Sequence, residues 1–190
     1  MARLRTFLAV ELPAGVRARC VELQEELAGP AGGVKWVEKE NLHVTLLFLG
    51  DVSDRDVIDV CRAAAKACAG VAPFPVVVEG VGAFPNARRP RTIWAGITTG
   101  AEELVALHDA LEAPLLALGC YRREERRYTP HVTLGRVKGD RPDDRLTAAL
   151  EAQAEWRGGE GEVSEVLVMS SQLTPQGPVY SVMSRTRLGR

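Results

Sequence analysis

The sequence has few residues of the kinds that build metal centres or disulfide frameworks. It holds 3 histidines and 4 cysteines, and the cysteines, at positions 20, 61, 68 and 120, form no CxxC pair. Structural zinc sites need about four ligands, and their sequences show recurrent short spacings of cysteine and histidine. The pattern therefore gives no sign of a metal centre. We expect free thiols, which suit a reducing compartment such as the cytoplasm.

Long apolar runs and an excess of basic charge are also absent. No stretch approaches the ~20 apolar residues of a membrane-spanning helix. The first apolar run is interrupted by Glu11 and Pro13, unlike a secretory signal. The formal net charge is -1, whereas proteins that coat long nucleic acids usually carry a basic excess. We therefore predict a cytoplasmic protein without a membrane segment, whose contacts with nucleic acid are confined to a nucleotide or an RNA end.

Strands and helices alternate along the chain, with no low-complexity segment and no long linker. Hydrophobic periodicity and turn residues predict strands at 6–12, 34–37, 42–49, 75–84, 91–97, 128–137, 162–172 and 178–187, and helices at 13–29, 54–69, 101–118 and 142–154. A turn is expected at Gly50–Asp51, an N-cap at Ser53, and a turn at TPQG between the last two strands. The two similar halves predict an α+β fold of two lobes with a groove between them.

The tetrapeptide His-Val-Thr-Leu occurs twice, at residues 43–46 and 131–134. On a strand, residues i and i+2 project to the same face. His43 therefore shares a face with Thr45, and His131 shares one with Thr133, while the valines and leucines face a core. A single copy is most often structural, because strands favour valine and threonine. Two identical copies indicate a site at which two imidazoles and two hydroxyls meet one small ligand.

Two histidines suit general acid–base cleavage of a phosphodiester. An imidazole pKa near 6.5 lets one ring be neutral and the other protonated near neutral pH. The neutral ring takes a proton from water and the protonated ring gives one to the leaving oxygen, each role being worth roughly 10²–10⁴-fold in rate. Attacking and leaving oxygens lie in line, so His43 and His131 should flank the ligand. The hydroxyls of Thr45 and Thr133 can donate hydrogen bonds to its non-bridging oxygens.

Arg136 is a weaker candidate for binding the phosphate. Strict alternation puts it on the face opposite to His131 and Thr133, unless a bulge or the strand end at Gly135 turns it back. Arginine is well suited to phosphate oxygens. The basic runs 88–91 and 122–127 could border an RNA-binding groove, although most such runs are solvated loops.

Three further residues have an ordinary structural interpretation beside a functional one. Trp36 and Phe48 could stack on a base, although aromatic residues belong more often to the core. His108 lies on a predicted helix, where a surface or partly buried histidine is the usual outcome. A metal site completed by aspartate or glutamate stays a minor alternative, since no spacing supports it.

In its flanking sequences the repeated motif resembles one family. The chain is similar to the bacterial and archaeal RNA 2′,3′-cyclic phosphodiesterases of the two-histidine phosphoesterase superfamily, formerly called 2′-5′ RNA ligases. The resemblance covers nearly the whole chain, through RTFLAVELP, KWVEKENLHVTLLFLGDV, GVGAFPNARRPRTIWAGI, YTPHVTLGR and SSQLTPQGPVYSV. It implies a single bilobal domain over residues 1–190. Two pseudo-symmetric lobes, each with an antiparallel sheet and outer helices, would enclose the active cleft.

The resemblance also implies hydrolysis of RNA 2′,3′-cyclic phosphate termini to 2′-phosphomonoester ends, without a metal ion or an organic cofactor. By position, His43 would donate a proton to the leaving 3′ oxygen and His131 would activate water. Thr45 and Thr133 would hold the phosphate, with help from Arg136. The residues alone do not reveal which histidine is the acid.

The residues leave three other functions open. One is joining of the cyclic end to a 5′-hydroxyl through a 2′-5′ linkage at the same site. The others are hydrolysis of another small cyclic phosphate and non-catalytic binding of RNA ends. The expected partner is an RNA end or nucleotide with a 2′,3′-cyclic phosphate, and the expected oligomeric state is a monomer.

Overall fold

Nine strands and four α-helices occur in the computed structural model, which describes residues 3–29, 32–123, 126–139, 144–175 and 177–189. The strands are β1 (Arg3–Glu11), β2 (Val34–Trp36), β3 (His43–Ser53), β4 (Phe74–Phe84), β5 (Thr92–Ile97), β6 (His131–Val137), β7 (Arg157–Val163), β8 (Glu165–Leu173) and β9 (Pro178–Arg187). The helices are α1 (Ala14–Ala28), α2 (Asp54–Cys68), α3 (Ala101–Ala117) and α4 (Asp144–Ala152). Within these ranges, no helix is long and apolar enough to cross a membrane.

The strands form one antiparallel sheet in the order β7-β4-β5-β6-β3-β1-β8-β9, and β2 pairs with β6. Strands β3 and β6 meet in the middle through the single register pair Val44–Val132. Helices α1 and α4 pack against the half that contains β4, β6 and β7, and helices α2 and α3 pack against the half that contains β3, β8 and β9. The predicted α+β class is confirmed. The division into two pseudo-symmetric lobes, and the single domain over residues 1–190, stay predictions.

Apolar faces of the helices cover the sheet. Helix α3 buries leucines spaced three and four residues apart, which form one stripe along a helix: Leu104, Leu107, Leu111 and Leu115. Helix α2 buries Val57, Val60, Ala64 and Cys68 in the same way. Strands β3 and β8 cover the two edges of β1. The centre of β1 is buried on both faces, since its side chains alternate between the faces and residues 6–10 are all excluded from solvent. This explains its continuous apolar sequence.

Most of the predicted elements are confirmed, but one predicted turn is absent and one strand is not predicted from the sequence. The expected turn at Gly50–Asp51 is wrong, because β3 continues to Ser53 and pairs with β1 throughout. Gly50 adopts a positive φ of 74° next to a register shift, a conformation that glycine tolerates within a bulge. Strand β7 is missed by the periodicity, because its sequence RGGEGEV has almost no apolar residues. It pairs with β4 at the edge of the sheet.

Smaller differences lie at element ends. Residues 128–130 precede β6 and are not part of it. Ser53 is confirmed as the N-cap of α2, since its hydroxyl accepts from the Asp56 amide at 3.3 Å. The hairpin of β8 and β9 is confirmed. Parts of the predicted 29–33 loop, of the start of the last helix and of the TPQG turn lie outside the described residues.

A buried glutamine fixes α1 to the strand that carries the second tetrapeptide. Gln24 is 6% exposed, and its Nε2 donates to the carbonyls of Val37 at 2.9 Å and Leu134 at 2.8 Å. Leu134 is the last residue of the second tetrapeptide. The helix therefore helps to set the backbone path at the end of that motif.

Replacing Gln24 with methionine should lower the free energy of unfolding by about 1–3 kcal/mol, because two carbonyls lose a buried donor. Urea denaturation at unchanged m-value measures the change. The exposed neighbour Glu25 offers the control Glu25→Gln, which should stay within about 0.5 kcal/mol of the parent. Equal midpoints for Gln24→Met and the parent would contradict the structural role of this side chain.

Candidate active site

The pairing of β3 with β6 brings the two tetrapeptides side by side. Val44 pairs with Val132 in antiparallel register, so position 43 lies beside position 133 and position 45 beside position 131. Both valines are buried, while the polar residues on either side of them are half-buried. These four residues, His43, Thr45, His131 and Thr133, form what we call the polar square, with the two histidines at opposite corners. Such diagonal positions are ~7–8 Å apart in antiparallel strands. A phosphate group can contact both rings from between them.

The two imidazoles are held by the same backbone contact. Nδ1 of His43 donates to the carbonyl of Asn41 at 2.7 Å, and Nδ1 of His131 donates to the carbonyl of Thr129 at 2.7 Å. Because a carbonyl only accepts, each Nδ1 carries a proton. The Nε2 atoms are therefore the ones that can exchange protons with a ligand. The hydroxyl of Thr45 lies 2.9 Å from Nε2 of His43 and donates to it while the ring is neutral.

Aromatic side chains restrain both rings. Phe7 stacks on His43 with ring centroids 5.1 Å apart, and Tyr180 meets the same ring edge-on at 5.5 Å. Phe84 meets His131 edge-on at 5.1 Å. These contacts, together with the carbonyl hydrogen bonds, leave each imidazole little freedom to rotate.

Burial lowers the pKa of both histidines below its usual value, and it is the largest cause for each. The carbonyl hydrogen bonds from Nδ1 act in the opposite direction. The charge of His131 further lowers the pKa of His43, and the charge of Arg136 further lowers the pKa of His131. Since the two rings repel each other when both are protonated, they titrate as a coupled pair. The singly protonated pair is the state that can act as an acid and a base together.

Each tetrapeptide ends in a bulge at its leucine. The β1–β3 register passes from Thr45 to Leu47, and the β5–β6 register passes from Thr133 to Gly135, so Leu46 and Leu134 have no counterparts there. As a result, two successive residues are buried in each strand, Leu46 and Leu47 in β3 and Leu134 and Gly135 in β6. The next side chain therefore returns to the face of the histidines.

The bulges bring Phe48 and Arg136 to the site. Both residues lie five positions after their histidine, and both line a pocket of about 310 Å³ that contains His43, Thr45 and Thr133. The structure thus places Arg136 with His43, Thr45 and Thr133, through a bulge of the predicted kind. Phe48 is 40% exposed, whereas the usual expectation for an aromatic residue is a position in the core. We call this hollow the central pocket, and Trp36 lines it too.

His131 lines a smaller hollow of about 150 Å³, which shares Thr45 and Phe48 with the central pocket. His108 also lines it, and stacks on Tyr128 with centroids 4.3 Å apart. The hydroxyl of Tyr128 donates to the carbonyl of Thr45 at 2.8 Å. Sequence reasoning misses Tyr128 and treats His108 only as an ordinary histidine of a helix, because neither contact follows from spacing along the chain. His108 thus borders the same hollow as His131 and stacks on the tyrosine that contacts the first motif.

No group of three or more histidine, cysteine, aspartate or glutamate side chains is placed to bind a metal ion in the part of the chain that the structure describes. All four cysteines, which lie in that part, are free.

Comparisons with known proteins show which family the chain is similar to. The profile of the family described as "LigT like Phosphoesterase" matches residues 10–94 and 97–180, and each matched segment contains one tetrapeptide. A Methanothermobacter thermautotrophicus protein is 38% identical, with 98% of this chain and 100% of the relative covered. An Archaeoglobus fulgidus protein is 36% identical, with 93% and 96% covered. Both carry the name RNA 2′,3′-cyclic phosphodiesterase.

Solved structures share the fold. A crystal structure of a Thermus thermophilus protein has a TM-score of 0.83 and 31% identity, with 98% of this chain and 100% of that chain covered. Escherichia coli LigT, solved as a complex with 3′-AMP, has a TM-score of 0.76 and 22% identity, with 99% of each chain covered. The second likeness concerns the fold alone. With the profile matching both halves and relatives that align over almost their full length, the chain belongs to the LigT-like phosphoesterase family.

Proposed function

We propose that the protein hydrolyses the 2′,3′-cyclic phosphate at RNA 3′ ends to a 2′-phosphomonoester, with His43 and His131 as the acid–base pair and without a metal ion. The observation that carries the proposal is the pair of imidazoles at opposite corners of the polar square, each with Nδ1 fixed by a carbonyl. The relatives named RNA 2′,3′-cyclic phosphodiesterase support the same substrate.

The reaction exchanges one bond at phosphorus and moves two protons. A water oxygen attacks phosphorus while Nε2 of neutral His131 takes its proton. The bond from phosphorus to the 3′ oxygen breaks, and Nε2 of protonated His43 gives a proton to that oxygen. The products are a 2′-phosphomonoester and a 3′-hydroxyl. The assignment of the two roles follows the family resemblance, since the square itself is nearly symmetric.

Thr45 has a role that changes with the protonation of His43. While the ring is neutral, its Nε2 accepts from the Thr45 hydroxyl. Once Nε2 is protonated it can no longer accept, and the hydroxyl becomes available to a phosphate oxygen. Thr133, beside His43, and Arg136 complete the set of donors for the phosphate. Charge that develops on the non-bridging oxygens in the transition state is stabilised by such donors.

Ligation through a 2′-5′ linkage would use a 5′-hydroxyl in place of water at the same atoms. The names of the relatives favour hydrolysis over this reaction. We further propose that the protein is a cytoplasmic monomer, and the four free cysteines suit a reducing compartment.

The test of the function is a short RNA with a 2′,3′-cyclic phosphate end, incubated with the protein in excess EDTA, with the product terminus identified by mass spectrometry and enzymatic end analysis. A 2′-phosphate product is expected. His43→Ala and His131→Ala should each lower kcat by roughly 10³-fold or more, since each removes one proton-transfer group. The third histidine gives a comparison: His108→Ala should cost less than about tenfold, because the proposed reaction assigns no proton transfer to that ring. An intact cyclic end, or activity that disappears with EDTA, would contradict the proposal.

The pH dependence follows from the direction of the two pKa shifts. Below the lower apparent pKa of the pair both rings are protonated and the base is lost. Above the higher apparent pKa both are neutral and the acid is lost. Because both values lie below the usual 6.5, kcat/KM should be bell-shaped with its maximum below pH 6.5.

The bound phosphate is negative and stabilises the imidazolium, so the kcat profile should lie at higher pH than the kcat/KM profile. Steady-state rates from pH 4 to 9, at low and at saturating RNA, measure both curves. A kcat/KM maximum above pH 7 would be inconsistent with buried histidines of lowered pKa.

The two threonines should differ in their effect on that profile. Thr45→Val and Thr133→Val each remove one donor at constant shape, and each should lower kcat by about 10²-fold. Thr45→Val also removes the donor that stabilises neutral His43, so the basic limb of kcat/KM should shift to higher pH. Thr133→Val should leave the limb in place. The serine variants retain a hydroxyl and serve as controls, and identical profiles for both valine variants would refute the assigned contact.

A further inference from the structure

A groove lined by arginines adjoins the site on the side of β5. It has a volume of about 750 Å³, and its lining includes Arg89, Arg91, Arg126 and Arg136. The lining residues that the structure describes include no aspartate or glutamate. The whole chain has a net charge of -1, so this arginine groove is a local concentration of positive charge on a nearly neutral protein.

The arginine groove begins where the proposed phosphate site ends. Arg136 lines both the groove and the central pocket. Phe84 lines the groove and contacts the ring of His131 edge-on. Arg126 lines the groove and also the small hollow beside His131. A ligand held between the two histidines can therefore continue into the groove without leaving the protein surface.

The segment that supplies two of these arginines is fixed to its surroundings. In the loop 85–91, Oδ1 of Asn86 accepts from the backbone amide of Arg89 at 3.0 Å. The carbonyl of Arg91 accepts from the backbone amide of Val137 at 3.0 Å, which joins the end of the loop to β6. The backbone that carries Arg89 and Arg91 is thus anchored on the wall of the groove.

The central pocket and the arginine groove are lined by different kinds of side chain. The central pocket has aromatic walls from Trp36, Phe48 and Tyr180, which suit the base of one nucleotide. Its volume of about 310 Å³ is less than half of the 750 Å³ of the arginine groove. Guanidinium groups match phosphate oxygens in geometry and charge. The part of the groove lining that the structure describes has four arginines and one aromatic residue, Phe84, so the groove suits a chain of phosphodiesters better than a second base.

We propose that the arginine groove binds the backbone phosphates of the RNA strand on the 5′ side of the cyclic end. The substrate is then an oligonucleotide end, and a free cyclic mononucleotide is a poorer one. The inference rests on the proposed function for its orientation, because the cyclic phosphate between the histidines fixes which part of the strand enters the groove. In this arrangement the phosphates of the same strand strengthen binding of the reacting nucleotide, whereas a free anion in the groove would not.

The kinetic test compares a 2′,3′-cyclic mononucleotide with an RNA tetranucleotide that has the same cyclic end. For the parent protein, kcat/KM should be at least about tenfold higher for the tetranucleotide. Arg89→Gln and Arg126→Gln should each reduce this ratio by roughly 2–5-fold, mainly through KM, since each removes one charge-assisted contact to a solvent-accessible phosphate. The control is Arg62→Gln on α2, an exposed arginine paired with Asp59 and outside the groove; its ratio should equal that of the parent.

A binding test does not require turnover. Fluorescence anisotropy of a 5′-labelled tetranucleotide with a 3′-phosphate gives Kd at several salt concentrations. Each contacted phosphate adds about 0.7 to the magnitude of the slope of log K against log salt for a single strand. Arg89→Gln and Arg126→Gln should each reduce that slope by about this amount, and Arg62→Gln should not change it.

The outcomes separate the two proposals. Hydrolysis with equal kcat/KM for the mononucleotide and the tetranucleotide, and unchanged salt slopes in the groove variants, would overturn the groove and keep the function. No hydrolysis of either substrate, with binding weakened in both groove variants, would overturn the function and the strand orientation that rests on it, and would keep the groove as a site for RNA phosphates. Competition by inorganic tripolyphosphate without any dependence on RNA length would show a site for free anions and overturn binding of the strand.

Discussion

The site depends on one backbone pairing, that of Val44 with Val132. Side chains alternate along a strand, so a slip of one residue in β3 or β6 would turn the histidine of that strand into the core and its valine toward the ligand. Both valines are fully buried, and the loss of their burial opposes such a slip. The hydrophobic effect therefore fixes the positions of four polar side chains that it does not act on directly. The remaining contacts of the site refine positions that this register has already set.

Burial and hydrogen bonding act in opposite directions on the two imidazoles. Burial favours the neutral rings, while the carbonyls of Asn41 and Thr129 favour the protonated ones. The same carbonyls select the tautomer, which leaves Nε2 as the atom that exchanges protons. One local geometry, a histidine hydrogen-bonded to the carbonyl two residues before it, thus influences the pKa of the ring and also selects the nitrogen atom that faces the ligand. It occurs at both motifs, as expected of two strands with the same tetrapeptide.

Much of the local structure could be predicted from the sequence, because it depends on short-range patterns. The apolar spacing of α2 and α3 and the cap at Ser53 agree with the structure. Gly50 shows the limit of such reasoning, because a glycine can permit either a turn or a bulge, and its neighbours in β1 decide between them. Strand β7 has almost no apolar pattern and exists because β4 offers it an edge. Phe48 and Arg136 would face away from the histidines under strict alternation, and only the bulges at Leu46 and Leu134 return them.

The sequence by itself determined which groups are available for chemistry: two copies of His-Val-Thr-Leu, with polar residues two apart and apolar residues between them. That information is local, since the strand period is two residues. Only the tertiary structure decided that the two copies lie next to each other. It also decided that Tyr128, which shortly precedes the second copy in the chain, contacts the first copy, and that arginines from separate segments line one groove. Each of these depends on contacts between residues far apart in the chain, which arise from the packing of the whole sheet and its helices.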